Sequence, residues 1–136
     1  ELFLSNVMGL KWDEVHDIAE QVEHIQSALF FDRIDKMLGN PQFDPHGEPI
    51  PDSDGRLPVY KTFPLSEATL KKKYKLAGVT NHEGSFLKYL DSLGVSIGCS
   101  IEILQILEFD KSMSVSINTR TKTIFSYTIC RNLLVI

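Results

Sequence analysis

WDEVHDIAEQVEHI, residues 12–25, is the stretch on which the fold turns. Val15, Ile18, Ala19, Val22 and Ile25 recur at the spacing of one helix face, so an amphipathic helix is expected from about Trp12 to Gln26. Beside that stripe stand His16, Glu20, Glu23 and His24, at i, i+4, i+7 and i+8. At roughly 100° per residue the four project within an arc of about 100°. Two imidazoles and two carboxylates form an N/O donor set suited to manganese, iron(II), zinc or nickel. Glu and His on an amphipathic helix are also commonly just solvated, and spacing alone does not choose between these readings.

Working outward, Phe3, Leu4, Val7 and Met8 give an earlier helical piece that Gly9 can end. Ser27 is a helix N-cap for a third piece carrying Leu29, Phe30, Ile34 and Leu38, with Gly39 just past its end. ELFLSNVMGL, residues 1–10, opens on Glu in mid-pattern without an N-cap residue, so a longer parent chain is expected. Residues 40–64 hold all 6 prolines, a density that neither a helix nor a central strand survives. Thereafter LKKKYKLAGVT (70–80), SIEILQILEFD (100–110), SMSVSIN (112–118) and TKTIFSY (121–127) read as strands, with EGSFLKYLDSLG (83–94) as a short helix. The expectation is an α+β chain: a helical domain at 1–39, a Pro-rich linker at 40–59, and a small, partly open β-barrel at 60–136.

The bulk properties narrow the function. A net charge of −4 argues against a polyanion-binding surface, and the run Lys71-Lys72-Lys73 reads as a solvated strand edge. Cys99 and Cys130 lie far apart with no CxxC spacing, so they read as buried, reduced thiols of a cytoplasmic protein. No apolar run is long enough for a membrane helix. An enzyme is not expected. HExxH and G-x-S-x-G are absent, an inverted zincin would need His where Glu20 stands, and no phosphate-binding Gly loop occurs. His46, in DPHGEP, reads as a turn residue or a partner for a backbone group.

WDEVHDIAEQVEHI followed by LGNPQFDPHGEPIP (38–51) closely resembles the second domain of the diphtheria toxin repressor and manganese transport regulator family. YLDSLGVSIGCSIEI (89–103) resembles, more weakly, the family's SH3-like, FeoA-related third domain. The resemblance implies the metal-sensing and dimerisation portion of a repressor responsive to manganese or iron(II), without its winged helix-turn-helix. It implies a homodimer, with operator DNA as partner through the absent domain and no membrane. It matches Glu20, Glu23 and His24 to the regulatory metal site and Glu1 and His16 to the ancillary site, with His82 or Glu83 as further ancillary candidates. Position 20 is often Cys in the family's iron-tuned members and Glu in its manganese-responsive ones. The competing expectation is a metal-handling or protein-interaction module with an SH3-like barrel and no DNA role.

Overall fold

The computed structural model of the chain describes residues 1–52 and 54–136; Ser53, within the expected linker, lies outside the described residues. Two compact units emerge, Glu1–Val59 and Tyr60–Ile136. The first holds α1 (Leu2–Asn6), α2 (Val15–Glu23) and α3 (Ala28–Leu38). Local chemistry sets the ends of α3: the Ser27 hydroxyl accepts from the Phe30 N–H at 3.2 Å, and Gly39 turns left-handed at φ 76°. The second helix is shorter than its periodicity predicts. Glu14 folds back on Lys11 through two hydrogen bonds, which delays the helix to Val15, and the Ile25 N–H closes onto the Val22 carbonyl just after its last turn.

Burial in this unit is sparse. Leu4 and Val15 are buried, but Val7, Met8, Ile18, Ile25, Leu29 and Met37 stay exposed. The stripe read from the sequence is therefore only partly covered by the chain itself. Residues 40–52, expected to link, fold back as a hairpin: Phe43 bridges Pro49, the Asp44 N–H donates to the Glu48 carbonyl, and the Ile50 N–H donates to the Gln42 carbonyl.

The second unit is a six-stranded antiparallel sheet in the order β1-β6-β2-β3-β4-β5. Its strands are β1 (Phe63–Pro64), β2 (Lys73–Val79), β3 (Ser100–Ile106), β4 (Met113–Ile117), β5 (Thr121–Phe125) and β6 (Leu133–Val135). Alternation puts Ile101, Ile103, Val115, Ile117 and Phe125 on the buried face. Helix α4 (Gly84–Ser92) follows β2 and buries Leu87 and Leu90. The α+β class expected from the pattern is the class observed. One element departs: TKTIFSY stops being a strand at Phe125, because Ser126 caps α5 (Tyr127–Arg131) by accepting from the Ile129 N–H.

Phe125→Ala removes the largest of the fully buried side chains and should destabilise the second unit by about 3–5 kcal/mol. Ile124→Thr, one residue away on the exposed face, should change stability by about 0.5 kcal/mol or less. Urea unfolding of both variants checks the contrast.

Candidate metal centre

The hairpin at 42–50 is a turn with a purpose readable from Asp44. Its Oδ1 accepts from the backbone N–H groups of His46 (2.8 Å) and Glu48 (2.7 Å), and Gly47 supplies the positive φ of 86° that the reversal needs. This turns the His46 ring inward, where 2% of the residue remains exposed. The ring Nε2 lies 2.9 Å from the Trp12 carbonyl, which can only accept, so Nε2 carries a hydrogen. Nδ1 faces Glu1 Oε2 at 3.1 Å and Asp44 Oδ2 at 3.6 Å. The indole of Trp12 stacks on the ring at 11° between planes.

A neutral imidazole in this position would aim a lone pair at two carboxylates. The pocket therefore favours a cation at Nδ1. In the metal-free chain that cation is a proton: hydrogen bonds donated to Asp44 and then to Glu1 raise His46 to about 10, against the burial that opposes charge. Glu1 moves the other way, to about 2, chiefly through its hydrogen bond to His46. The other Glu1 oxygen, Oε1, lies 3.3 Å from Nδ1 of the exposed His16. One carboxylate thus joins two imidazoles.

Among the described residues, Glu1, Asp44 and His46 form a group of metal-donor side chains whose ligand atoms lie within 4.8 Å of one another. The donor chemistry fits a divalent ion. Two carboxylates and an imidazole suit a hard to borderline cation, which would take the place of the Nδ1 proton, and the Nε2–H bond to Trp12 would orient the ring from behind.

Of the expected ligands, Glu1 and His16 meet directly. Glu20 and Glu23 line the same cavity of about 490 Å³ as Glu1 and His16, though both side chains are exposed. His24 is exposed at the C-cap of α2, past its last regular turn, and does not line that cavity. In the second unit His82 Nε2 lies 3.3 Å from the Val79 carbonyl, and Glu83 is the exposed N-cap of α4. The sequence reading missed Asp44 and His46 as donors. It gave His46 a turn and a backbone bond, both of which it makes. The DPHG turn signal was present, but its partner Glu1 stands 45 residues away.

Residues 1–52 match the model of the iron dependent repressor, metal binding and dimerisation domain, and residues 63–136 match the FeoA domain. The chain is 45% identical over 51 residues to the iron-dependent repressor IdeR of Mycobacterium tuberculosis, covering 38% of this chain and 22% of that protein. Over 108 residues it is 32% identical to the diphtheria toxin repressor of Corynebacterium jeikeium, covering 78% of this chain and 44% of that one. A solved manganese-dependent transcriptional repressor superposes with a TM-score of 0.93 at 34% identity, over 100% of this chain and 73% of its own. The chain spans less than half the length of the curated relatives it matches.

The two shifted groups fix the pH response of the metal-free chain. His46, raised from 6.5 to about 10, contributes stability that is complete below 6.5 and is lost as pH rises through its folded value. Glu1, lowered from 4.5 to about 2, contributes stability that is present above 4.5 and is lost as pH falls through its folded value. The pair should hold the first unit best between those limits. Denaturation in chelator should show stability falling from about pH 5.5 to about pH 9.5. His46→Ala should flatten that slope and cost about 3 kcal/mol at the lower pH, because two carboxylates lose their counter-charge.

Proposed function

Because the chain belongs to the family of metal-dependent transcriptional repressors, we propose that it is the metal-sensing and dimerisation portion of a repressor governed by manganese or iron. The observation that carries the reading is the Glu1 carboxylate held between His16 and the Asp44–His46 pair, with Glu20 and Glu23 on the adjoining cavity. Glu20, Glu23 and His24 would serve a regulatory site. Glu1 and His16 would serve an ancillary one, joined by Asp44 and His46, with His82 or Glu83 as outer candidates. A bound divalent ion would supply the positive charge that draws these donors together.

In this reading residues 1–39 carry the pairing surface and most of the metal donors, 40–59 connect and contribute Asp44 and His46, and 60–136 form an SH3-like unit. Exposed Val7, Met8, Leu29 and Met37 give the helices more apolar surface than they cover themselves, which fits a homodimer. Operator recognition would fall to a domain outside these 136 residues, the match covering 44% of the diphtheria toxin repressor relative. The metal would act as co-repressor by binding the DNA-competent state more tightly. No helix among the described residues is long and apolar enough to cross a membrane, and the proposed setting is the cytoplasm, with no enzymatic role.

Glu20 points to manganese. It is a hard oxygen donor, and manganese(II) is held weakly by most sites, so a manganese sensor needs an oxygen-rich shell in which competing ions do not produce the active geometry. Operator binding by the full-length protein should be activated by manganese(II), and Glu20→Cys should shift the preference towards anaerobic iron(II). An unmodified protein that ignores manganese would defeat the metal assignment. Light scattering that gave a monomer at tens of micromolar would defeat the homodimer.

A further inference from the structure

The whole-chain charge of −4 hides a division. Tyr60–Ile136 holds ten Lys and Arg against six Asp and Glu, a net of +4, whereas Glu1–Val59 holds four against twelve, a net of −8. An acidic total therefore says nothing about the second unit's own surface.

The sheet register shows where part of that positive charge stands. Lys73 on β2 pairs with Glu102 on β3, Glu102 with Ser116 on β4, and Ser116 with Lys122 on β5, so one row crosses four strands. In the next row Lys75 pairs with Ser100, and the Asn118 N–H donates to the Ser100 carbonyl at 2.8 Å. Arg120 stands in the β4–β5 hairpin at the end of that row. These positions alternate with Leu76, Ile101 and Ile117, which are buried, and so lie on the opposite face of the sheet, where Ser116 is itself buried and Ser100 half-buried. Lys73, Lys75, Arg120 and Lys122 are exposed.

The face thus carries cations along both edges, with Ser100 and Asn118 as the accessible short polar side chains between them. Three strand spacings separate β2 from β5, or about 14 Å at the backbone. Glu102 is the one carboxylate in these rows, and it is 3.7 Å from the Lys73 ammonium.

We propose that this outer face of β2–β5 is a sequence-independent contact surface for the phosphodiester backbone of duplex DNA. Cations on both edges suit a polymer whose charge repeats along its length, and serine hydroxyls and asparagine amides are among the groups that contact phosphate oxygens. The two rows hold no apolar pocket to receive the side chains of an acidic peptide. This inference rests on the repressor reading and adds a second foothold to it: neutralising phosphates without reading bases would raise affinity for any duplex beside an operator and leave sequence discrimination unchanged. The face lies in the unit that lacks Glu1, His16, Glu20 and Glu23, so it should work with the metal stripped away.

The test is fluorescence anisotropy of the 136-residue chain with a labelled random-sequence duplex, in chelator, across a salt series. Binding is expected at low salt, with log K falling against log salt at a slope of about −3 for Lys75, Arg120 and Lys122. In Lys75→Gln/Lys122→Gln the slope should relax to about −1, while Lys61→Gln, off this face, should leave it unchanged. Circular dichroism confirms that each variant is folded. No binding at low salt, or a slope indifferent to the double substitution, overturns the proposal. Competition by poly-glutamate as strong as by duplex also overturns it and identifies an acidic peptide as the ligand. The repressor reading fails by a separate measurement, the loss of metal-dependent operator binding in the full-length protein, and that failure would leave these salt slopes as they are.

Discussion

The buried imidazole of His46 accepts only a narrow set of surroundings, and the first unit is arranged to supply them. With Nε2–H committed to the Trp12 carbonyl, Nδ1 must present either a hydrogen or a lone pair to two carboxylates. The lone pair alone would be repelled, so a positive charge has to reside there. That requirement ties together residue 1, the backbone at residue 12 and the hairpin at 42–50, which share no local periodicity. It matters because the unit buries so little else. With Leu4 and Val15 as its buried apolar side chains, hydrophobic burial within one copy is small, and a desolvated charge pair carries a larger part of the specification of the fold.

The same geometry makes proton and metal competitors. A ligating imidazole must be deprotonated, so the hydrogen bonds that raise His46 in the metal-free chain also set what an incoming cation has to displace. Affinity at this group therefore rises with pH over the range in which the metal-free pair loses stability. Glu1, Asp44 and His46 are pre-organised by their own ion pairs, whereas Glu20, Glu23 and His24 stand exposed on α2 and at its end. In the proposed reading, pre-organisation would favour occupancy of the first set, and the freedom of the second would leave it able to respond to what is bound there.

What the sequence made legible were features whose causes are local. Ser27 and Gly39 delimit α3 because capping needs only a neighbouring N–H and a residue at ease with positive φ. The alternation in SIEIL and SMSVSIN reports one buried face and needs no knowledge of the partner strand. Features that depend on distant partners were not legible. The pairing of Phe63 with Val135 joins the two ends of the second unit, and the Glu1–His46 contact spans 45 residues. The arc drawn through His16, Glu20, Glu23 and His24 assumed an unbroken helix, but α2 closes at Glu23, which leaves His24 governed by the chain reversal after it.

The thiols bear on which metal such a chain can favour. Burial raises Cys99, and it pushes Cys130 up to about 12, so both remain thiols near neutral pH. A metal ligand must be the thiolate, which leaves imidazole and carboxylate as the donors on offer. Such a shell binds first-row ions in the usual order of affinity, with manganese(II) among the weakest. Discrimination in manganese's favour must then come from geometry: from how many oxygen donors can be brought to one ion, and whether the arrangement they adopt is the one that repositions the rest of the molecule. As a ligand, Glu20 would contribute to this by offering a carboxylate with two oxygens where a thiolate would cap the site with a single soft donor. The selectivity read from that residue is thus a statement about coordination number and shape, not about strength of binding.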